Sequence, residues 1–298
     1  MNKLHDINED EIRVIGTEQD TTKPPRPNKW WPIIAAILLG LIVVFGILFW
    51  GKPHEAKNSG ENDAVTDSTT AEPVLTEDLS VSDEWMTTSD PDLGAATTMY
   101  DTVINGMTLT ILTPHNAKPS LCVGYIDTTD TDIILATQAA DIRHDNGKIV
   151  GAFVCKGEPK AWGLSKKGYC AIFDDRITVG VADNSPYFEQ ATEEDGYFFR
   201  QYPLVDRGQK VDNNPTNEAQ RRSLCQWKGQ IHIIICNERV TMNDFSAALA
   251  QLGVSNAIYL VGSTAYGWAI DGQGKKHLLG MVGPSLNRPN VNYILFRK

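Results

Sequence analysis

The chain has 298 residues, 42% of them hydrophobic, and a formal charge of −10 from 27 Lys and Arg against 37 Asp and Glu. That is enough apolar material for one core or two small ones. Eleven acids and a single base, Lys57, lie between Glu55 and Ala95, so the rest of the chain is balanced. With no basic stripe interleaved with aromatics, no nucleic-acid partner is expected.

In chain order, residues 1–29 are polar, with Pro24, Pro25 and Pro27 close together, and read as a short cytoplasmic tail. Trp30 to Trp50 contains no charged side chain. Twenty-one residues at the helical rise span roughly 30 Å, a bilayer's hydrocarbon thickness. Trp30, Trp31 and Trp50 fall where interfacial anchors belong, so residues 30–50 predict an uncleaved transmembrane helix. Arg13, Lys23, Arg26 and Lys29 precede it, while only Lys52 and Lys57 follow closely. The bias predicts a single-pass membrane protein with a cytoplasmic N-terminus and a periplasmic or extracellular C-terminal domain. Residues 51–95, rich in Asp, Glu, Ser and Thr, read as a flexible acidic linker extended by its like charges. Residues 96–298 are the expected folded domain.

All five cysteines (Cys122, Cys155, Cys170, Cys225 and Cys236) lie in that domain. The number is odd, there is no Cys-x-x-Cys, and neither zinc spacing nor His-Glu-x-x-His occurs, so no metal site is predicted. No cofactor is indicated.

Within the domain, the alternation of Met-Thr-Leu-Thr-Ile-Leu at 107–112 suits a strand. Short strands are expected at Cys122–Ile126, Gly151–Cys155, Tyr169–Phe173 and Ile177–Val181. The aromatic cluster from Gly196 to Pro203 suits core packing more than sugar binding. Leu224–Trp227 and Ile231–Cys236 flank Lys228-Gly229, a two-residue hairpin turn. That register sets Trp227 against Gln230, Arg222 against Ile235 and Cys225 against His232. Arg222, Leu224, Ile233 and Ile235 then share one face, with Cys225, His232 and Ile234 on the other. His232 beside Cys225 reads as a half-buried structural histidine, since nothing completes a nucleophilic site. A helix follows, capped by Thr241 with Asp244 three residues on, carrying Met242, Phe245, Leu249 and Leu252 on one face and ending at Gly253. Ala257–Val261 is a buried strand, and Tyr293–Phe296 the last. Strand, helix, strand in this order predicts α+β, or mixed α/β: one β-sheet-rich domain with packed helices, behind the N-terminal membrane helix.

Three segments could carry chemistry. Gly262 to Gly267 leaves the end of a buried strand, where it is either a ligand loop or a tight turn. Arg221 and Arg222 point to opposite faces of a strand, so one at most serves a given pocket, where an arginine suits a phosphodiester. Surface ion pairing is the plainer role. Asp271-Gly272-Gln273-Gly274-Lys275 lacks the phosphate-loop pattern and reads as a hairpin turn.

Taken in order, several segments resemble the phosphodiester glycosidase family. They are Gly151-Ala152-Phe153, Pro159-Lys160-Ala161-Trp162-Gly163 and Tyr202-Pro203-Leu204-Val205, then Arg221-Arg222-Ser223 and Asn237-Glu238-Arg239. The helix from Thr241 to Leu252-Gly253 and Tyr259-Leu260-Val261-Gly262-Ser263-Thr264 complete the set. The resemblance covers roughly 105–298. It implies a protein acting on a glycan or sugar-1-phosphodiester; the membrane helix anchors it, and composition and the simple anchor fit a bacterial envelope. Arg222, Ser223 and Glu238 are its catalytic candidates, with Asn237, Gly262, Ser263 and Thr264 in substrate binding. Arg222, Ser223 and the Gly262-Ser263 backbone are expected to hold the anion. The sequence departs from the family in having Val261 in place of the Asp of Leu-Asp-Gly-Gly, and Asn237 in place of a turn Asp. Glu238 or Asp271 is then the available carboxylate. The alternative is a catalytically inactive relative that binds envelope glycan or a protein partner.

Overall fold

Alternating and continuous apolar runs become strands along most of the domain. The computed structural model describes residues 84–263, 265–281 and 289–298. Its first strands are β1 (Ala96–Ile104), β2 (Met107–His115), β3 (Lys118–Val123), β4 (Ile133–Gln138), β5 (Phe153–Cys155), β6 (Glu158–Ala161), β7 (Gly168–Phe173) and β8 (Arg176–Val181). After helix α1 (Tyr187–Glu193) come β9 (Tyr197–Gln201), β10 (Pro203–Asp206), β11 (Gln209–Lys210), β12 (Ala219–Trp227) and β13 (Gln230–Val240). Helix α2 (Met242–Leu252) leads to β14 (Asn256–Leu260), β15 (Gly267–Ile270), β16 (Lys276–Leu278) and β17 (Asn292–Arg297).

The strands form three antiparallel sheets: β1-β2-β13-β12-β14-β10-β11, β16-β15-β4-β17-β3 and β6-β5-β9-β7-β8. The first is the frame of the molecule. Its inner face carries Leu112, Leu224, Ile233, Ile235, Ile258 and Leu260. These pack with Ile134, Leu135, Ile294 and Phe296 of the second sheet and Phe153, Cys170, Ile172 and Phe199 of the third. Its outer face carries Leu109, Ile111, Cys225, Ile234, Cys236 and Tyr259, covered by Met242, Phe245, Ala248 and Leu249 of α2. Thr241 caps α2 by accepting from the Asp244 amide at 3.1 Å. Gly253 closes it at φ 89°, a left-handed value that favours glycine. The Lys228-Gly229 turn gives the expected register: Trp227 pairs Gln230, Cys225 pairs His232 and Arg222 pairs Ile235.

The α+β expectation is corrected. Strand makes up 49% of the described residues and helix 9%, so the domain is mostly β, with three antiparallel sheets. The β13–α2–β14 crossover looked like an α/β unit in the sequence. In the fold β12 lies between β13 and β14 and runs antiparallel to both. The inner faces are covered by other sheets, so one crossover helix and one short helix are all the helix among the described residues.

The single-pass membrane expectation is corrected as well. Among the described residues no helix is long and apolar enough to cross a membrane. The run at 30–50, with the tail at 1–29, lies outside the described residues.

Composition assigns residues 84–95 to the linker, yet they pack on the domain. Met86 is buried and exchanges backbone hydrogen bonds of 2.8 and 2.9 Å with Ile177 of β8. Trp85 meets Phe173 and Tyr187 edge-on at 5.6 and 5.4 Å. Two apolar side chains within an acidic run dock onto the third sheet, which an average over the segment conceals.

Candidate functional site

The inner face of the first sheet is apolar along most of its length and turns polar at one end. Pairing sets Asp101, Thr110, Ile235, Arg222 and Leu260 in one row across β1, β2, β13, β12 and β14. Three strand spacings of about 4.8 Å place roughly 14 Å between the backbones at Asp101 and Arg222. A cleft of about 570 Å³ opens over this row. Its floor is Met99 to Asp101, Thr110, Leu112, Gln220 to Arg222, Ile235 and Asn237. Ser263 and His277 to Gly280 complete the lining.

Arg222 is the distinctive residue. It is 2% exposed, because its alternation with Leu224 along β12 aims it at the core face. Its Nη1 donates to Thr137 Oγ1 of β4 at 2.9 Å. Its Nε, also buried, has no partner. Among the described residues no carboxylate pairs with it, and burial pushes the guanidinium down to about 10. It stays a cation at neutral pH. A buried cation without a counter-ion carries a desolvation cost that a bound anion offsets. Arg221, one residue away, points to the other face. Its guanidinium lies 5.8 Å from the Tyr259 ring and donates to the carbonyls of Asn217 and Val240.

The floor also holds a directed polar chain. Asn237 Nδ2 donates to Thr110 Oγ1 at 3.0 Å, and Thr110 Oγ1 donates to Asp101 Oδ1 at 2.7 Å. In the same cleft, His277 Nε2 lies 2.7 Å from Asp271 Oδ2. The carboxylate accepts, so Nε2 carries the proton. Asp271 Oδ1 accepts two further backbone bonds, from Gln273 and Lys275, each at 2.9 Å. The imidazole bond first, then these amides, hold the Asp271 carboxyl below its usual range.

The candidates taken from the sequence scatter accordingly. Arg222, Asn237 and Ser263 come together at the cleft. Ser223, one residue from Arg222, faces α2. Its Oγ is fully buried between Cys225 Sγ at 3.0 Å and the Ile234 carbonyl at 3.3 Å. Glu238 likewise alternates away from Asn237. It accepts from the Thr108 amide at 3.1 Å, and the Thr108 hydroxyl first, then this amide, hold its carboxyl low. Gly262 and Ser263 do not present amides to an anion. The Gly262 N–H donates to Tyr259 Oη at 3.3 Å and the Ser263 N–H to the Gln220 carbonyl at 3.0 Å. A Cβ on Gly262 would lie 2.3 Å from the Gln220 oxygen. That close approach accounts for the glycine, and Ser263 follows in the left-handed region at φ 54°. Thr264 lies outside the described residues.

Reasoning from the sequence missed Asp101 and His277. Asp101 sits in a strand whose mixed polar pattern gives no catalytic signal. His277 is one of six histidines in the chain, and its spacing from Asp271 across the turn is the signal that could have found the pair. His232 is structural: Nε2 donates to the Trp227 carbonyl at 3.0 Å and Nδ1 accepts from Thr113 Oγ1 at 2.9 Å. Burial holds it down at about 4, neutral. Among the described residues no group of three or more His, Cys, Asp and Glu is arranged to hold a metal ion.

No family model and no curated protein matches the sequence. Among solved structures, the chain is similar to the catalytic domain of zebrafish N-acetylglucosamine-1-phosphodiester alpha-N-acetylglucosaminidase, auto-inhibited by its pro-peptide. The TM-score is 0.50 at 13% identity, covering 72% of this chain and 88% of that one. A hypothetical protein from Synechocystis aligns at TM-score 0.47 and 13% identity, over 68% of this chain and 62% of that one. At this identity the first likeness is one of fold: the domain is a distant structural relative of a phosphodiester glycosidase catalytic domain.

Proposed function

We propose that the domain binds and hydrolyses a sugar-1-phosphodiester, with the Arg222 guanidinium holding the phosphate. The observation that carries this is the buried, carboxylate-free arginine at the floor of an open cleft. A phosphodiester matches it in charge and in having paired oxygens for a planar fork of donors. Developing negative charge on a departing phosphate is stabilised most by such a cation in a place from which water is largely excluded. The zebrafish neighbour's action on a phosphodiester of N-acetylglucosamine supports the substrate class. The cleft has room for a hexose beside the phosphate. Asp101 and Asn237, linked through Thr110, supply an acceptor and a donor for sugar hydroxyls.

A second reading, a non-catalytic protein that binds the same glycan ligand, is favoured by Val261. It stands where the family pattern has an Asp, and the amides that follow it are already hydrogen-bonded inside the protein. One experiment separates the two. The full chain and its Arg222→Met variant are incubated with a panel of sugar-1-phosphodiesters, and free sugar, phosphate monoester and bound ligand are measured. Turnover lost in the variant supports the hydrolase. Arg222-dependent binding without product supports the second reading. Equal binding and turnover in both proteins refute a role for Arg222 altogether.

A further inference from the structure

We infer that His277, oriented by Asp271, is the base that takes a proton from the attacking water in this cleft; this rests on the hydrolase reading above. Hydrolysis of a glycosyl phosphodiester needs two different kinds of help. The leaving phosphate needs a cation, which Arg222 provides from the floor. The water needs a base on another wall, so that it meets the anomeric carbon from the side away from the phosphate. His277 lines the same cleft as the arginine, and it shares a sheet face with Ala269, which packs in the core against the first sheet.

Its surroundings prepare it for that part. It sits on β16, paired with Ala269 of β15, and its hairpin turn is closed by backbone bonds of 3.0 Å from Asp271 to Lys275 and 2.9 Å from Gly274 to Asp271. Asp271 is anchored by two amides on one oxygen and grips Nε2 with the other. With the Nε2 proton committed, Nδ1 keeps its lone pair, and no other described group bonds it. This is the orienting role a carboxylate plays for a catalytic imidazole. Imidazole also exchanges protons nearer neutrality than a carboxylate does, which makes it the better base for water. Asp101 already accepts from the Thr110 hydroxyl. The charged groups facing this region from the first sheet are Asp101 on β1 and Arg222 on β12. On its own hairpin, Lys276 is turned away, its Nζ on the Thr128 carbonyl and 4.1 Å from the Trp268 ring.

The step balances without any oxidant or added group. The water oxygen bonds to the anomeric carbon as the bond from that carbon to the phosphate oxygen breaks. The bonding pair leaves on the phosphate monoester, which faces Arg222. The water proton passes to Nδ1 of His277 and from there to solvent.

The test uses the full chain with the methyl phosphodiester of N-acetylglucosamine as substrate and inorganic phosphate as the binding probe. His277→Gln is expected to lower kcat by about 100-fold or more and to leave phosphate affinity and KM within three-fold. Asp271→Asn, acting through His277, is expected to lose less rate, again in kcat and not in KM. His277→Ala with added imidazole is the check on folding, since partial recovery of rate needs an intact cleft. A smaller fall in kcat in an active enzyme, or a change in KM alone, overturns the inference and leaves the hydrolase reading standing. A parent that binds phosphate through Arg222 and turns nothing over overturns both.

Discussion

Replacing Arg222 by Met tests the premise that this arginine is held for a ligand at the expense of the fold. Its fall from the ordinary 12.5 to about 10 corresponds to about 3 kcal/mol of uncompensated burial, at about 1.4 kcal/mol for each tenfold in proton affinity. The variant removes that cost along with the unpartnered Nε. It also strips Thr137 Oγ1, fully buried, of its donor, which costs about 1 kcal/mol. Methionine refills the volume with a flexible chain. The net expectation is a gain of about 1–2 kcal/mol, in line with buried ions replaced by apolar side chains. That is a rise in Tm of about 2–8 °C for a domain of this size. Phosphate at a hundred times its Kd stabilises the parent by about 2.7 kcal/mol and leaves the variant unmoved. Calorimetry of both proteins, with and without phosphate, reads all four numbers. A variant that melts below the parent, or one that phosphate still stabilises, refutes the reasoning, because the arginine would then be serving structure.

Two further expectations concern the frame of the site. His232 is buried and neutral, held down at about 4 from an ordinary 6.5. The unfolded chain therefore binds more protons between those values, so stability rises with pH across that window. About 3 kcal/mol is lost on acidifying from pH 6.5 to pH 4. Urea unfolding at pH 7 and pH 4.5 should show this loss in the parent and little of it in His232→Gln; equal losses would exonerate this histidine. Gly262→Ala sets a Cβ 2.3 Å from the Gln220 carbonyl, so backbone must shift between β12 and the loop after β14. A loss of about 1–3 kcal/mol and weaker phosphate binding are expected, and a neutral change in both would mean that the loop yields freely.

Some of this architecture was legible in the chain itself. Lys228-Gly229 supplies the two left-handed residues a tight turn needs, at φ 51° and 73°. Once the turn is placed, period-two alternation dictates that Arg222 shares a face with Ile235 and cannot share one with Ser223. Thr241, Asp244 and Gly253 mark both ends of α2 by local hydrogen bonding and backbone preference. These features depend on neighbours a few residues apart. The class of the fold did not, because a single strand-helix-strand passage says nothing of β12 entering between its two strands. Nor did composition expose the docking of Trp85 and Met86, two side chains within an acidic run. The cleft depends on contacts still longer in range. Asp101 reaches the row of Arg222 only because β2 pairs with β13 across more than a hundred residues of chain. His277 lines the cleft over that row only because the second sheet packs over the first. The amides of Gly262 and Ser263, small and well placed by sequence, are consumed by Tyr259 and Gln220. Pattern in the chain dictated which face each side chain takes; packing of sheet on sheet alone decided which faces meet.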